Sequence, residues 1–212
     1  MSLAAKLAQG VTELRLDISE ETQRKLLDYL ALIQKWNRVY NLTAVREAQK
    51  MASHHLLDCL AVIPHVRVRR LVDVGSGAGL PGIPLALALP QTQVTLLDSN
   101  HKKTTFLRQA VIELGLNNVE VVCARAESWQ PPQPFEVVIS RAFSDLPQFL
   151  AAAGNLCAAD GVIAAMKGVY PDEEIAQLPG GFELRGVIPL AVPGLEAERH
   201  LVLVQPVRRA AP

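Results

Sequence analysis

Residues 71–84, LVDVGSGAGLPGIP, form a glycine-rich segment whose residue types and spacing suit the binding of a ligand. Gly75, Gly77 and Gly79 alternate directly after an apolar, mostly β-branched run that is typical of a buried parallel strand. Glycines tolerate positive φ angles and let a ligand approach the backbone closely. Pro81 follows, and proline suits the first turn of a helix. The segment therefore predicts a buried strand, a binding turn and the start of a helix.

Two registers of this turn fit different ligands. Gly77, Gly79 and Gly82 match the dinucleotide fingerprint G-x-G-x-x-G, which is a weak signal by itself. Asp73, followed by three alternating glycines, instead resembles the first motif of class I S-adenosylmethionine-dependent methyltransferases, in which the loop packs against the methionine part of the cofactor. We favour the second register because Gly75 directly follows the strand. A tight turn that binds nothing is the simplest alternative.

The composition sets bounds on the class of protein. The length of 212 residues suits one domain with an extension, and no apolar run reaches the roughly 18 residues that span a bilayer. The N-terminus lacks an apolar signal core, so we expect a cytoplasmic protein without a membrane partner. Cys59, Cys123 and Cys157 are far apart, and therefore neither disulfides nor a metal site is expected.

The charge is balanced overall but unevenly distributed. Residues 1–70 carry eleven Lys or Arg and seven Asp or Glu, a net charge of +4, whereas residues 71–212 carry ten and fourteen, a net charge of −4. A neutral total does not favour a nucleic-acid partner, but the basic first third leaves one open. A solvated helical surface explains the same charges equally well.

Other elements must hold the turn in place. Ser19 is followed by two acidic residues, which predicts the start of a helix, and residues 47–63 predict another. We therefore predict two domains: residues 1–65 as an N-terminal helical extension and residues 66–212 as a class I methyltransferase domain.

From residue 71 onward, strand patterns alternate with helical ones, which indicates a parallel sheet. The predicted strands cover 71–74, 94–97, 119–122, 135–139 and 161–166, with two closing strands at 182–190 and 200–204. The predicted fold class is α/β: a Rossmann-like class I S-adenosylmethionine-dependent methyltransferase sheet with helices on both faces.

Polar residues follow three of these strands, at the edge where open parallel sheets bind ligands. Asp98 is predicted to accept hydrogen bonds from ribose hydroxyls, or else to cap the next helix. Ala126 and Glu127 could contact an adenine face and its exocyclic amine, or Glu127 could be a solvated loop acid. Arg141 could pair with the cofactor carboxylate or a phosphate, or brace the sheet edge through an ion pair.

Two other classes of protein share parts of this pattern. A dehydrogenase that uses NAD would have the same glycine turn and the later acid, but the chain leaves little room for a substrate domain. A regulator that binds a nucleoside cofactor without catalysis would share the whole site. Titration with NADH and with S-adenosylhomocysteine, followed by an assay for methyl transfer, separates these classes.

Several segments together resemble the bacterial glucose-inhibited division protein B family, the 16S ribosomal RNA guanine-N7 methyltransferases. In chain order they are 36–43 (WNRVYNLT), 55–58 (HLLD), 73–84, 96–99 (LLDS), 102–103 with 106–107, 140–142 (SRA) and 167–168 (KG). The resemblance implies that the chain uses S-adenosylmethionine to methylate N7 of one guanine in 16S ribosomal RNA. Cys59 stands where the family commonly has Ser, which should matter little.

The resemblance also implies which residues contact the cofactor. With Gly77 and Gly79 of the same turn included, the predicted cofactor residues are Gly75, Gly77, Gly79, Leu80, Asp98, Ala126, Glu127 and Arg141. The implied partner is 16S ribosomal RNA, either naked, in an assembly intermediate or in the small subunit, and we expect a monomer.

Guanine N7 bears no proton and presents a lone pair, so its methylation requires no catalytic base. The protein must instead place the base in line with the methyl donor. Arg141, Asn41 and His55 are the positioning candidates, and Arg38, Asn41, His55 and Lys167 are the candidates for binding RNA. Simpler alternatives are a core histidine at position 55, a helix cap at position 41 and a solvated lysine at position 167.

Overall fold

The computed structural model describes residues 1–45, 47–141, 143 and 145–207. Ala142, which belongs to the segment 140–142, and residues 208–212 of the predicted second domain lie outside these residues. One seven-stranded sheet organises the fold, with the order β3-β2-β1-β4-β5-β7-β6. The strands are β1 Arg70–Val74, β2 Gln93–Asp98, β3 Val119–Cys123, β4 Phe135–Ser140, β5 Cys157–Lys167, β6 Phe182–Pro189 and β7 His200–Pro206.

Strands β1 to β5 run parallel, whereas β7 is antiparallel to both β5 and β6. The predicted parallel sheet with a closing hairpin is confirmed. β5 begins at Cys157 rather than at residue 161, because its first residues pair with the start of β4 before the register shifts. The carboxyl ends of the five parallel strands meet at one edge, where the candidate site lies.

Successive residues of β1 enter two separate hydrophobic cores. Leu71 packs in the core that includes Leu107, whereas Val72 and Val74 pack in the core that includes Phe149. A strand with helices on both sides is largely apolar, which explains Leu71, Val72 and Val74 around the buried Asp73. Helices on both faces of the sheet are therefore confirmed.

The helices are α1 Leu3–Glu13, α2 Glu20–Tyr40, α3 Ala48–Met51, α4 Asp58–Leu60, α5 Gly82–Ala88, α6 His101–Leu114, α7 Leu146–Ala153 and α8 Asp172–Ala176. Ser19 caps α2 as predicted, because its hydroxyl accepts a hydrogen bond from the Thr22 N–H. Helix α7 ends at Ala153, and residues 154–156 continue as a 3₁₀ turn. Among the described residues, no helix is long and apolar enough to cross a bilayer.

The N-terminal region differs from its prediction in two ways. Helix α1 was not predicted, and the single helix expected at residues 47–63 is interrupted. Between α3 and α4 the chain forms a π-helical turn, Ala52–Leu57, and a 3₁₀ turn, Ile63–His65, follows. These helices share one core with the sheet, so the domain boundary at residue 65 stays a prediction.

Candidate active site

The turn after β1 adopts the backbone conformation that its glycines predict. Gly75, Gly77 and Gly79 have φ angles of 70°, 58° and 88°, a region that residues with side chains disfavour. Among the described residues, a Cβ atom at Gly77 would meet only the Gly75 carbonyl oxygen within 4 Å, at 3.8 Å, so space borders this glycine. A Cβ atom at Gly79 would lie 2.6 Å from Ile83 Cδ1. The turn thus begins at Gly75, as the methyltransferase register predicts.

Gly82, the last glycine of the dinucleotide register, belongs to α5 rather than to the turn. A Cβ atom there would lie 2.2 Å from Leu96 Cδ2, so Gly82 lets α5 pack closely on β2. Its N–H donates to the Asp73 carboxylate at 2.9 Å. Burial raises the pKa of Asp73 to about 7, and its Oδ1 atom has no hydrogen-bond partner among the described residues. Asp73 therefore fixes the start of α5 from beneath the turn.

The Asp98 carboxylate joins the end of β2 to the glycine turn. Its Oδ2 atom accepts a hydrogen bond from the Gly77 N–H at 2.9 Å, and its Oδ1 atom accepts one from the Asn100 N–H at 2.8 Å. The side chain of Asn100 caps α6 by accepting from the N–H groups of Lys102 and Lys103. The alternative role of Asp98 as the cap of this helix is therefore wrong.

A cavity of about 270 Å³ lies beside the turn, at the carboxyl ends of β1, β2 and β3. We call it the carboxylate cavity, and its lining includes Gly75, Asp98, Lys103, Ala126, Glu127 and Phe143. Of the eight predicted cofactor residues, four are in this lining. The remaining four, Gly77, Gly79, Leu80 and Arg141, are outside its described lining.

The chemistry of the carboxylate cavity fits a nucleoside. The carboxylates of Asp98 and Glu127 can accept hydrogen bonds from hydroxyl and amine groups, and Phe143 offers an aromatic surface. The open space at Gly77 extends the site along the turn. These groups can hold a ribose, an adenine and a neighbouring amino-acid part.

A second cavity, of about 380 Å³, lies where β4, β5 and β7 meet the N-terminal helices. We call it the arginine cavity, and its lining includes His55, Asp58, Arg141, Lys167, Gly168 and Arg199. The Asp58 side chain is only 3 % exposed and lies between two guanidinium groups. Arg199 Nε donates to its Oδ1 atom at 3.1 Å, and Arg141 Nη1 lies 3.4 Å from its Oδ2 atom. Burial raises the pKa of Asp58, although both arginines act in the opposite direction.

The π-helical turn positions the acidic side of this cavity. Within it, the Asp58 N–H donates to the carbonyl of Ser53, five residues earlier. The His54 carbonyl accepts a hydrogen bond from Arg141 Nη1 at 2.9 Å. Such turns interrupt α-helices often at functional sites. Here the turn supplies the His54 carbonyl, and the residue that follows it, Asp58, supplies the carboxylate to the same guanidinium.

Arg141 lies at the carboxyl end of β4, as predicted, but its guanidinium is in the arginine cavity. The ion pair with Asp58 corresponds to the alternative in which Arg141 braces the edge of the sheet. The pair also links the sheet to the helical extension. A contact between Arg141 and the cofactor stays a prediction.

His55 is buried and neutral. Its Nε2 atom lies 2.9 Å from Thr43 Oγ1, and its Nδ1 atom has no partner among the described residues. Burial, and then the nearby Arg141, lower its pKa to about 4. The ring lines the arginine cavity without a charge at neutral pH, so it is not a cationic contact for phosphate.

Lys167 is not a solvated lysine, and that alternative is wrong. Its side chain is 9 % exposed, and Nζ lies 2.7 Å from a carboxylate oxygen of Glu174. Nζ also donates to the Phe143 carbonyl at 3.4 Å. Because Phe143 lines the carboxylate cavity, Lys167 joins the edges of the two cavities.

A third cavity, of about 400 Å³, follows the last turns of α2. We call it the α2 cavity, and it is lined by Gln34, Asn37, Arg38, Asn41, Val45 and Met51. Asn41 ends α2 with a φ angle of 49°, so it is a helix cap, as the simpler alternative predicts. The Asn37 side chain makes two hydrogen bonds of 2.9 Å to the backbone of Thr43. Val45 lines both this cavity and the arginine cavity, which are therefore neighbours.

Sequence reasoning missed Arg199 and the role of Asp58. Arg199 precedes an antiparallel strand, and only the pairing of Lys167 with His200 brings it to the carboxyl edge of β5. No local spacing could reveal this contact. Asp58 was part of a recognised segment, but its two arginine partners come from distant parts of the chain.

The fold is shared with solved structures of methyltransferases that are described as dependent on, or complexed with, S-adenosylmethionine. The chain is similar to a SAM dependent methyltransferase from Aquifex aeolicus, with a TM-score of 0.56 and 19 % identity over 72 % of this chain and 91 % of that chain. It is also similar to the glycopeptide N-methyltransferase MtfA complexed with S-adenosylmethionine, with a TM-score of 0.63 and 12 % identity over 72 % of this chain and 88 % of that chain. The chain therefore has the Rossmann-like α/β fold of this class of methyltransferases.

Sequence similarity narrows this class to one family. A family model described as rRNA small subunit methyltransferase G, GidB, matches residues 22–202. Ribosomal RNA small subunit methyltransferase G of Laribacter hongkongensis is 58 % identical over 95 % of this chain and 98 % of that protein. The protein of the same name from Nitrosospira multiformis is 56 % identical over 97 % and 98 %. The chain belongs to the rRNA small subunit methyltransferase G family, and the predicted fold class, family, enzyme class and cofactor are confirmed.

Proposed function

We propose that the two neighbouring cavities divide the reaction between cofactor and target base. The chain transfers a methyl group from S-adenosylmethionine to N7 of a guanine in 16S ribosomal RNA. The carboxylate cavity holds the cofactor, and the arginine cavity holds the guanine. The observation that carries this assignment is the order of the two cavities along one edge of the sheet, joined at Lys167 and Phe143.

We assign the cofactor to the glycine turn and to the acids that follow β2 and β3. Asp98 is placed to accept from ribose hydroxyls while it holds the Gly77 N–H. Ala126 and Glu127 border the space for adenine. The methionine part of the cofactor lies along the turn. The turn residues assigned to it are Gly75, Gly77, Gly79 and Leu80. When bound, S-adenosylmethionine supplies an electrophilic methyl group on a positively charged sulfur.

The residues of the arginine cavity position the base rather than remove a proton. Guanine N7 already has a free lone pair, so alignment and exclusion of water are what the protein must supply. A guanidinium has five N–H donors, and Asp58 occupies only part of this set in Arg141 and Arg199. The remaining donors can bind guanine O6 or a phosphate. The Asp58 carboxylate lies where it can offset the positive charge that methylation leaves on the base.

The α2 cavity extends the RNA site away from the target base. Arg38 and Asn41 are the candidates for contacts with the flanking nucleotides, and Arg38 carries the positive charge. His55 and Lys167 are the candidate RNA-binding residues beside the target base, and His55 is uncharged there. We further propose that the chain acts as a monomer in the cytoplasm, with residues 1–65 as the extension that carries the RNA contacts.

Mapping of N7-methylguanine in 16S ribosomal RNA from cells with and without this protein tests the proposal. We expect one guanine to lose its methyl group in the absence of the protein and to regain it when purified protein and S-adenosylmethionine are added. Parallel assays with naked RNA, an assembly intermediate and the 30S subunit identify the preferred substrate. Methylation at another atom, or cofactor binding without transfer to any of these substrates, would contradict the proposal.

A further inference from the structure

Tyr29 connects α2 directly to the glycine turn. Its side chain is fully buried, and its hydroxyl donates a hydrogen bond of 2.5 Å to the Ala78 carbonyl, 49 positions further along the chain. Burial, followed by the neighbouring Cys59, raises the pKa of Tyr29 well above its ordinary value. The hydroxyl therefore keeps its proton at neutral pH and remains a donor.

Ala78 lies where the turn has the greatest backbone freedom. It stands between Gly77, with a φ angle of 58°, and Gly79, with a φ angle of 88°. The N–H of Gly77 bonds to Asp98, and the N–H of Gly79 bonds to the Ser76 carbonyl, so these anchors come from the sheet edge and from the turn itself. The anchor on the Ala78 carbonyl comes instead from the helical extension. The same peptide group carries the Gly79 N–H, so Tyr29 and Ser76 hold this peptide from both of its polar ends, between two glycines whose backbone is intrinsically permissive.

We propose that Tyr29 is a positioning residue for methyl transfer, because its hydroxyl fixes the Ala78 peptide and preorganises the glycine turn for the cofactor. This inference rests on the proposed role of the turn in binding S-adenosylmethionine. A residue needed only for the core would require no hydroxyl, and Leu26, Leu30 and Ile33 fill the same face of α2 with purely apolar side chains. The hydroxyl adds a specific contact with the turn.

The hydrogen bond of Tyr29 also connects the glycine turn to the helix that lines the α2 cavity. Helix α2 contacts the turn through Tyr29 and lines the α2 cavity through Gln34 and Arg38. A helix rises about 1.5 Å per residue, so roughly 13 Å separate the levels of Tyr29 and Arg38 on one continuous element. Tyr29 thus holds the cofactor turn in a fixed position relative to the helix proposed to contact RNA.

The Tyr29→Phe variant tests this proposal, because it removes the hydroxyl and keeps the ring. We expect the affinity for S-adenosylhomocysteine, measured by calorimetry, to fall about tenfold, which corresponds to about 1.4 kcal/mol. The KM for S-adenosylmethionine should rise by a similar factor, while kcat at saturating cofactor stays within about threefold of the wild-type value. The matched control is Tyr40→Phe, which removes the same group from the same helix where the ring stacks on Trp36. It should leave cofactor affinity unchanged.

A rescue experiment separates the donor from the packing. Replacement of Tyr29 by 4-aminophenylalanine restores a donor at the same place and should recover most of the affinity, whereas 4-fluorophenylalanine should not. Equal cofactor affinities in these two variants would overturn the proposal, even if the Phe variant does not fold. A lowered melting temperature with wild-type affinity in the folded fraction of Tyr29→Phe would also overturn it. If the proposed cofactor site itself is wrong, the Asp98→Ala variant will bind S-adenosylhomocysteine as the wild type does, which is a distinct result.

Discussion

The carboxylate cavity and the arginine cavity lie along the same edge of the sheet but are built differently. The first is formed mainly by strand ends and the few residues that follow them, from Val74 to Phe143. The second takes Asp58 from the helical extension and pairs it with Arg199, 141 positions away. One cavity follows from local chain geometry, whereas the other exists only once the N-terminal helices and the final hairpin are in place.

The two cavities also differ in how their charges are satisfied. In the carboxylate cavity, Asp98 binds backbone N–H groups and keeps acceptor capacity for a neutral ligand such as a ribose. In the arginine cavity, the buried Asp58 lies between two arginines, so loss of Asp58 would leave two neighbouring guanidinium groups without their counter-charge. The difference implies that changes in the first cavity affect cofactor affinity, and that changes in the second affect stability or methyl transfer.

The largest effect is expected for Asp98→Ala. This variant removes both the acceptor for the ribose and the group that holds the Gly77 N–H. Hydrogen bonds to charged groups contribute about 1.5–3 kcal/mol, so the affinity for S-adenosylhomocysteine should fall about a hundredfold. Calorimetry measures this loss, and a thermal melt on the same preparation establishes that the variant is folded.

The control for this variant is Asp160→Ala, because Asp160 is an exposed carboxylate near the start of β5, at the opposite edge of the sheet. It should bind cofactor as the wild type does. Wild-type affinity in Asp98→Ala would show that the carboxylate cavity is not the cofactor site. The proposed difference in function between the two cavities would then be wrong.

The His55→Gln variant tests how the arginine cavity responds to pH. The ring has a pKa of about 4 in the folded protein and an ordinary value of 6.5, so folding favours the neutral form. Its contribution to stability is fully present above pH 6.5 and is lost as the pH falls toward 4. From about pH 7 to pH 5, the wild type should therefore lose on the order of 2 kcal/mol more stability than the variant.

Denaturant unfolding at both pH values measures this difference. The raised pKa of Asp73 acts in the opposite direction in both proteins and cancels from the comparison. Equal losses of stability in wild type and variant would show that His55 is not held neutral by its surroundings. The matching cofactor titration should differ little, because His55 does not line the carboxylate cavity.

A smaller effect is expected for Gly77→Val. The φ angle of 58° disfavours a β-branched residue, and the added side chain would enter the space beside the turn. We expect cofactor affinity to fall about tenfold, or about 1.4 kcal/mol, with the fold retained. Gly180→Val is the control, since a Cβ atom at Gly180 meets no atom within 4 Å in the part of the chain that the structure describes. If both variants bind cofactor like the wild type, the turn is not part of the site.

The same contrast explains what the sequence could predict. Gly75, Asp98 and Glu127 follow strands whose hydrophobic patterns are clear, and their convergence follows from the parallel sheet. The ion pairs of Asp58 depend on a π-helical turn and on an antiparallel strand register, and neither has a local signature. The contact of Tyr29 with the turn was missed for another reason. Its position on α2 is that of an ordinary core residue, and only the structure shows that its hydroxyl bonds to the Ala78 carbonyl.

The most direct test of the division between the cavities is the single-turnover rate of methyl transfer by Arg141→Lys, measured beside its affinity for S-adenosylhomocysteine. Lysine keeps the charge but cannot reproduce the geometry of a guanidinium. If Arg141 positions the guanine, the variant should melt near the wild-type temperature and bind S-adenosylhomocysteine within about threefold, yet lose methyl transfer about tenfold or more. A normal rate, or a loss of cofactor affinity that accounts for the whole loss of rate, would contradict the assignment of the arginine cavity to the target base.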